Sequence, residues 1–276
     1  MNRKIIIFGG LVLFVLLLLM LGLRYVGNQN DEMYNDSLMS HYEYNIIIES
    51  NSTLQNVILY LPVPVIENES GVGLEMVNGD YYNKPSNWNL SLEDTDYGLM
   101  LKIEAAEIQP VYHSLPVAVP EPEPGSGDLE NEVPKETLVI ESHEYSEETP
   151  VLVPIDFGTR VGADHLINTR LPVGNESMLL PKYNLRESEE GPIVPLPEHI
   201  NPEYFDYESL VYAHYDASPE AEVQIFVQLE GLNEWWIYGW KYNEYRDGIS
   251  IQLTGPQDGW VQAGGRLITG DGIYRE

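Results

Sequence analysis

Glu222-Val223-Gln224-Ile225-Phe226-Val227-Gln228-Leu229-Glu230 is the stretch that decides the fold class. Positions 223, 225, 227 and 229 are aliphatic, and the positions between them are Gln or Glu apart from Phe226. Successive side chains of a strand point to opposite faces. The stretch therefore predicts a strand with one buried and one mostly wet face, as in an antiparallel sheet. Gly231-Leu232-Asn233 then reads as a turn, Trp235 to Tyr242 as a returning strand, and Ile249-Ser250-Ile251-Gln252-Leu253 as another alternating one. Gly264-Gly265, between Trp260–Ala263 and Arg266–Thr269, reads as a two-residue hairpin loop, and the Asp-Gly pairs at 247, 258 and 271 as further turns.

The same pattern continues upstream. Tyr42–Glu49 and Val57–Leu61, separated by the turn residues Asn51-Ser52-Thr53, read as a hairpin. Tyr97–Glu104 and Thr137–Glu141 also have strand character. Prolines at 116, 120, 122, 124 and 134 among acids mark 110–136 as a loop or linker that cannot bury much apolar surface, with a loop favoured. Eight more prolines between 150 and 202 disfavour helices and predict an irregular excursion with short extended pieces. The expectation is an all-β, antiparallel, β-sandwich-like body over 41–276 with long Pro-rich loops.

Ahead of it, Ile5 to Leu23 is an unbroken apolar run. At 1.5 Å per residue it makes a helix of about 28 Å, close to the ~30 Å hydrocarbon core of a bilayer. The reading is a cytoplasmic stub (1–4), a transmembrane anchor helix (5–26) and a polar stalk (27–40). Arg3 and Lys4 favour N-terminus inside and body outside. A cleaved signal peptide is the alternative, but Gly22-Leu23-Arg24-Tyr25-Val26-Gly27 lacks an Ala-x-Ala-like site.

Beyond residue 26 there are 11 basic and 44 acidic residues, a net −33 with His neutral. Such a surface repels phosphates, which argues against nucleic-acid binding. The acids are dispersed, so self-repulsion is relieved by salt, and the reading is a salt-tolerant or halophilic source, with ordinary solubility by net charge as the alternative. Stability that falls steadily with added salt would overturn the halophilic reading. So dense an acid surface also allows weak surface binding of Ca²⁺ or Na⁺. With no cysteine, thiol chemistry, disulfides and thiolate metal sites are excluded.

Asn233-Glu234-Trp235-Trp236, Gly239-Trp240, Asn243–Asp247, Gly255-Pro256-Gln257 and Gly259-Trp260 together form a pattern. With Leu54–Pro62, they resemble uncharacterised membrane-anchored cell-envelope proteins of haloarchaea and methanogenic archaea. The likeness covers both ends of the body. It implies an archaeal envelope setting and brings no assigned activity or catalytic residues.

Trp236, Tyr238, Trp240 and Tyr242 fall on one face of the predicted strand, with Trp235 on the other. They suit a sandwich core, which large aromatics commonly fill. Exposed, they are candidate ligand-binding residues that stack on sugar rings. Asn35, Asn51, Asn68, Asn89 and Asn175 head five Asn-x-Ser/Thr sequons and are candidate glycosylation sites. Six histidines show no metal-binding spacing, and Asp94–Gly98 reads as a turn, since the later ligands of a calcium loop are missing. No nucleophile elbow or phosphate loop occurs, and 44 acids single out no catalytic pair. No catalytic residue, metal site or cofactor is therefore expected.

The resulting expectation is a single-pass surface protein with a non-catalytic binding or scaffolding ectodomain. Its partners would be the membrane and envelope proteins or glycans. The alternatives are a carbohydrate-binding or glycoside-acting protein using 235–242, and an accessory subunit of a membrane complex.

Overall fold

The computed structural model describes residues 3–79, 81–116, 145–189, 191 and 200–275. Helix α1 (Arg3–Ser37) is long and apolar enough to cross a membrane, and its residues 13–29 are exposed. The polar residues 27–37 form the last turns of this helix, and strand β1 (Met39–Ser50) begins two residues later.

The body is a large curled antiparallel sheet. Its other strands are β2 (Leu54–Val65), β3 (Asn89–Thr95), β4 (Gly98–Ile108), β7 (Ile155–Gly162), β10 (Glu203–Asp216), β11 (Glu222–Trp236), β12 (Trp240–Thr254) and β13 (Gln257–Gly272), numbered in chain order. They run β3-β4-β2-β10-β13-β12-β11-β1-β7. Two short strands extend it: β8 (Met178–Leu180) beside β2 and β9 (Tyr183–Glu187) beside β10. β5 (Val111–Pro116) and β6 (Tyr145–Val153) pair separately, so the chain leaves the sheet after β4 and rejoins it at β7. Most of the Pro/Glu-rich segment and the expected strand 137–141 lie outside the described residues.

Alternation decides the interior. Val223, Ile225, Val227 and Leu229 of β11 are buried as expected, and face a core that includes Ile46, Ile48, Leu59, Leu61 and Ile103. Helix α2 (Gly71–Asn78) packs against β2, β3 and β7, between the two edges of the sheet, and buries Val72, Gly73 and Met76 there. Its N-cap is Ser70, whose hydroxyl accepts from Gly73 N–H at 3.0 Å. A Cβ on Gly73 would lie 2.7 Å from Val63, so only glycine fits that approach.

Several expected turns are corrected. β1 and β2 are consecutive but do not pair as a hairpin, because four strands stand between them in the sheet. They meet across the core instead, where Tyr44 Oη donates to the Pro62 carbonyl at 2.7 Å. Gly231 does not turn the chain. It lies within β11 opposite Tyr245, whose ring would be 2.1 Å from a Cβ at that position. Gly264-Gly265 is no hairpin loop either, since β13 runs through it and the Tyr207 ring covers Gly265. Asp247-Gly248 and Asp258-Gly259 likewise sit inside strands, and Asp271-Gly272 ends β13. The real turns are at Ile237–Gly239 and at Gly255-Pro256, where Gly255 has φ +70.

Buried polar groups lace the proline-rich excursion to the sheet. Asp247, with no solvent exposure, accepts from Lys182 Nζ (2.6 Å) and Tyr207 Oη (2.7 Å) through Oδ1, and from Leu179 N–H (2.8 Å) through Oδ2. Buried Glu176 accepts from Tyr42 Oη (2.5 Å) and Asn168 N–H (2.6 Å), and pairs with His165 Nε2 (3.1 Å). The Asn233 side chain holds both backbone groups of Ile167 (3.0 and 2.9 Å). Glu176 and Asn233 thus fix the loop residues Asn168 and Ile167, and Asp247 ties the short strand β8 and the adjoining Lys182 to β12, so irregular backbone is held largely by side chains.

Candidate functional site

The aromatic segment 235–242 is not one strand. β11 and β12 meet in a hairpin whose tip is Ile237–Gly239, with Ile237 N–H donating to the Gly239 carbonyl and Tyr238 at φ +51. Period-two spacing across a reversal does not keep residues on one face. Trp236 and Trp240 become cross-strand partners, packed edge to face at 5.7 Å. Trp235 is buried, whereas Trp236, Tyr238, Trp240 and Tyr242 are exposed, Tyr238 at 74% and Trp240 at 60%. The core expectation for the line Trp236, Tyr238, Trp240 and Tyr242 therefore fails, and the buried ring is Trp235, on the opposite face.

The exposed rings project at the end of the body where α1 arrives. Tyr34 packs edge to face on Trp235 at 5.5 Å, and Ser37 Oγ accepts from Trp236 N–H at 2.8 Å. Arg275 pairs with Asp31 and stacks over Tyr34 at 4.3 Å.

A second aromatic group lies on the outer surface of the β2-β10-β13 region, and no contiguous stretch of sequence announces it. Tyr60 comes from β2, Tyr97 from the β3–β4 turn, Tyr212 from β10 and Trp260 from β13. The register sets Tyr60 opposite Tyr212 and Tyr212 opposite Trp260. Tyr97 meets Trp260 edge on at 4.7 Å, Tyr212 meets it at 5.4 Å, and Tyr60 lies nearly parallel to it at 6.1 Å.

A depression of about 440 Å³ opens beside these rings, lined also by Ile58, Asp94, Thr95 and Asp96. Asp94–Gly98 is the expected turn: Thr95 Oγ1 donates to the Gly98 carbonyl (2.8 Å) and accepts from Tyr97 N–H (3.1 Å), which fixes the Tyr97 ring. On the far side Asp258 stands 3.1 Å from His214 Nδ1 and accepts weakly from Tyr212 Oη at 3.4 Å. Partial burial, then the Asp258 carboxylate, raises the Tyr212 phenol above its ordinary value, so it stays a neutral donor. The site thus offers flat apolar faces beside carboxylate acceptors and hydroxyl donors.

A larger concavity, about 620 Å³, lies over Gly248 and Gly264, where absent side chains leave the sheet surface low. Arg186, Arg246 and Arg266 border it. Arg246 is answered by Glu244 (2.8 Å) and Asp271, and Arg266 by Asp206 (3.2 Å). Burial pushes the Glu244 carboxyl up to about 7, against the opposing pull of Arg246. With two of its three cations already paired, this concavity is a weak attractor for anions.

Asn35, Asn51, Asn68, Asn89 and Asn175 are all exposed. Among the described residues, no three His, Asp or Glu side chains group as metal ligands. No known family, curated protein or solved structure matches the chain, so any functional reading rests on the sites themselves.

Proposed function

We propose that the chain is a single-pass membrane protein that holds a sugar-binding, non-catalytic β body outside the membrane. One observation carries the binding reading: Tyr60, Tyr97, Tyr212 and Trp260 converge from four separate elements beside Asp94, Asp96 and Asp258. A pyranose has one face of C–H groups that packs on such rings, and hydroxyls that the flanking carboxylates accept. The net charge of −33 beyond residue 26 selects neutral over anionic glycans. The basic Arg3 and Lys4 before the apolar run support body-outside topology. The five exposed sequon asparagines and the dispersed acids support a glycosylated archaeal envelope setting.

The test is calorimetric titration of the full chain in nanodiscs with a panel of neutral oligosaccharides. At least one should bind, and Trp260→Ala should weaken it tenfold or more with the melting temperature little changed. Absence of binding across the panel, or equal affinity in Trp260→Ala, would refute the sugar reading.

A further inference from the structure

Among the described residues the rings of the four exposed aromatics at the β11–β12 tip stack on no other ring, apart from Trp236 and Trp240 on each other, and the geometry points to the lipid headgroup layer as their occupant. α1 is clamped along one face. Asn30, Met33, Tyr34 and Ser37, at spacing i, i+3, i+4, i+7, are half-buried, and Trp235, Trp236 and Arg275 contact that stretch. The anchor and the hairpin are therefore held at a fixed relation.

The β1–β11 register pairs Met39 with Glu234, and continuing it backwards would place residue 37 opposite 236. Ser37 and Trp236 are indeed hydrogen-bonded. The hairpin thus overruns the start of β1 and continues beside the helix towards its amino-terminal, apolar part. Tyr238, at the tip of the turn two residues further, lies up to about 7 Å beyond Trp236, the limit set by strand rise. That is level with about residue 33 of a helix rising 1.5 Å per residue.

Residue 33 is about 10 Å above Val26, the end of the expected anchor helix 5–26. The headgroup layer on each side is about 5–8 Å thick. The side chains of Trp236, Tyr238 and Trp240 cover the remaining gap, and an average helix tilt of about 20° narrows it. Tyr and Trp, apolar bodies with a polar tip, are the residues that settle at this level of a bilayer. Arg24 and Tyr25, exposed on α1, mark the same boundary. A net −33 beyond residue 26 rules out attraction to anionic headgroups, so the contact is one of aromatic burial and persists in salt.

This inference rests on α1 spanning a bilayer, which carbonate washing of membranes tests separately. The tip is tested by tryptophan fluorescence of the full chain in phosphatidylcholine nanodiscs with and without lipid spin-labelled near the headgroup. Of five tryptophans, Trp88 and Trp235 are buried and Trp260 lies in the other aromatic group. The label should quench up to about two-fifths of the emission, and Trp236→Phe/Trp240→Phe should abolish that quenching with unchanged melting of the body. No quenching in the unaltered chain, or equal quenching in the double variant, would overturn the proposal and leave the anchor intact. Retention of Trp236 and Trp240 only for contact with a partner protein would appear as the first of these results.

Discussion

Replacing Asp247 with asparagine strands a cation inside the protein. Lys182 is 8% exposed at its side chain, and Asp247 is the only anion within ion-pair distance of it among the described residues. Breaking such a buried pair costs about 3–5 kcal/mol. The amide introduced at position 247 can itself be accommodated. Its oxygen can accept from Leu179 N–H, and its NH₂ can donate to Tyr207 Oη, which already lies 3.3 Å from the Gly248 carbonyl as an alternative acceptor. The penalty of Asp247→Asn therefore resides in Lys182. Adding Lys182→Met should recover about 2 kcal/mol or more, leaving the double variant closer to the parent than either single one.

Urea unfolding followed by tryptophan emission is a suitable assay. With m near 2–3 kcal/mol/M, the single variant should move the midpoint by about 1–2 M. Burial pushes the Lys182 pKa below its ordinary 10.5, opposed by Asp247, so Asp247→Asn lowers it further. Below the folded pKa both states carry the proton and the penalty is complete. Above 10.5 neither does and the penalty is gone, so the Asp247→Asn deficit should shrink as pH rises between those limits. The double variant should show no such slope. A cost under about 1 kcal/mol for Asp247→Asn, or additive costs in the double variant, would refute this reasoning.

Two further perturbations separate other claims. Gly265→Ala drives a Cβ to 2.3 Å from the Tyr207 ring and should cost about 1–3 kcal/mol, while neighbouring Gly264→Ala meets open space and should be neutral or slightly stabilising by thermal melting. Glu244, held in the fold at about 7, keeps a proton that the unfolded chain releases near 4.5, so stability should fall by about 1–3 kcal/mol as pH rises through that window. Glu244→Gln should flatten this slope, and an unchanged pH profile would contradict the burial argument.

The fold class is legible in the sequence where burial is one-sided. Val223, Ile225, Val227 and Leu229 announce an inner face because the residues between them are mostly polar. β10 escapes such a reading because its inner positions are Tyr207, Ser209, Val211, Ala213 and Tyr215, a mixture in which no hydropathy period stands out. The misleading glycines share one cause. Gly231 and Gly265 read as breaks in the chain, yet each is a vacancy under a ring from the adjoining strand, and that ring is remote in sequence. The patch around Trp260 is illegible for a related reason. Its rings are brought together only by strand order, and the chain order of β2, β3, β4, β10 and β13 gives no hint of that order. The 235–242 aromatics stand out because they are contiguous, but their exposure depends on a reversal at Ile237–Gly239 that lacks a strong turn dipeptide.

The clamp of Arg275, Trp235 and Trp236 on the last turns of α1 makes the rod and the body one lever. A spanning rod leans when the surrounding bilayer is thinner than its apolar length. In the spanning arrangement proposed above, a joint held by these contacts carries the body through the same angle, and lipid composition becomes a means of aiming the face that carries Trp260.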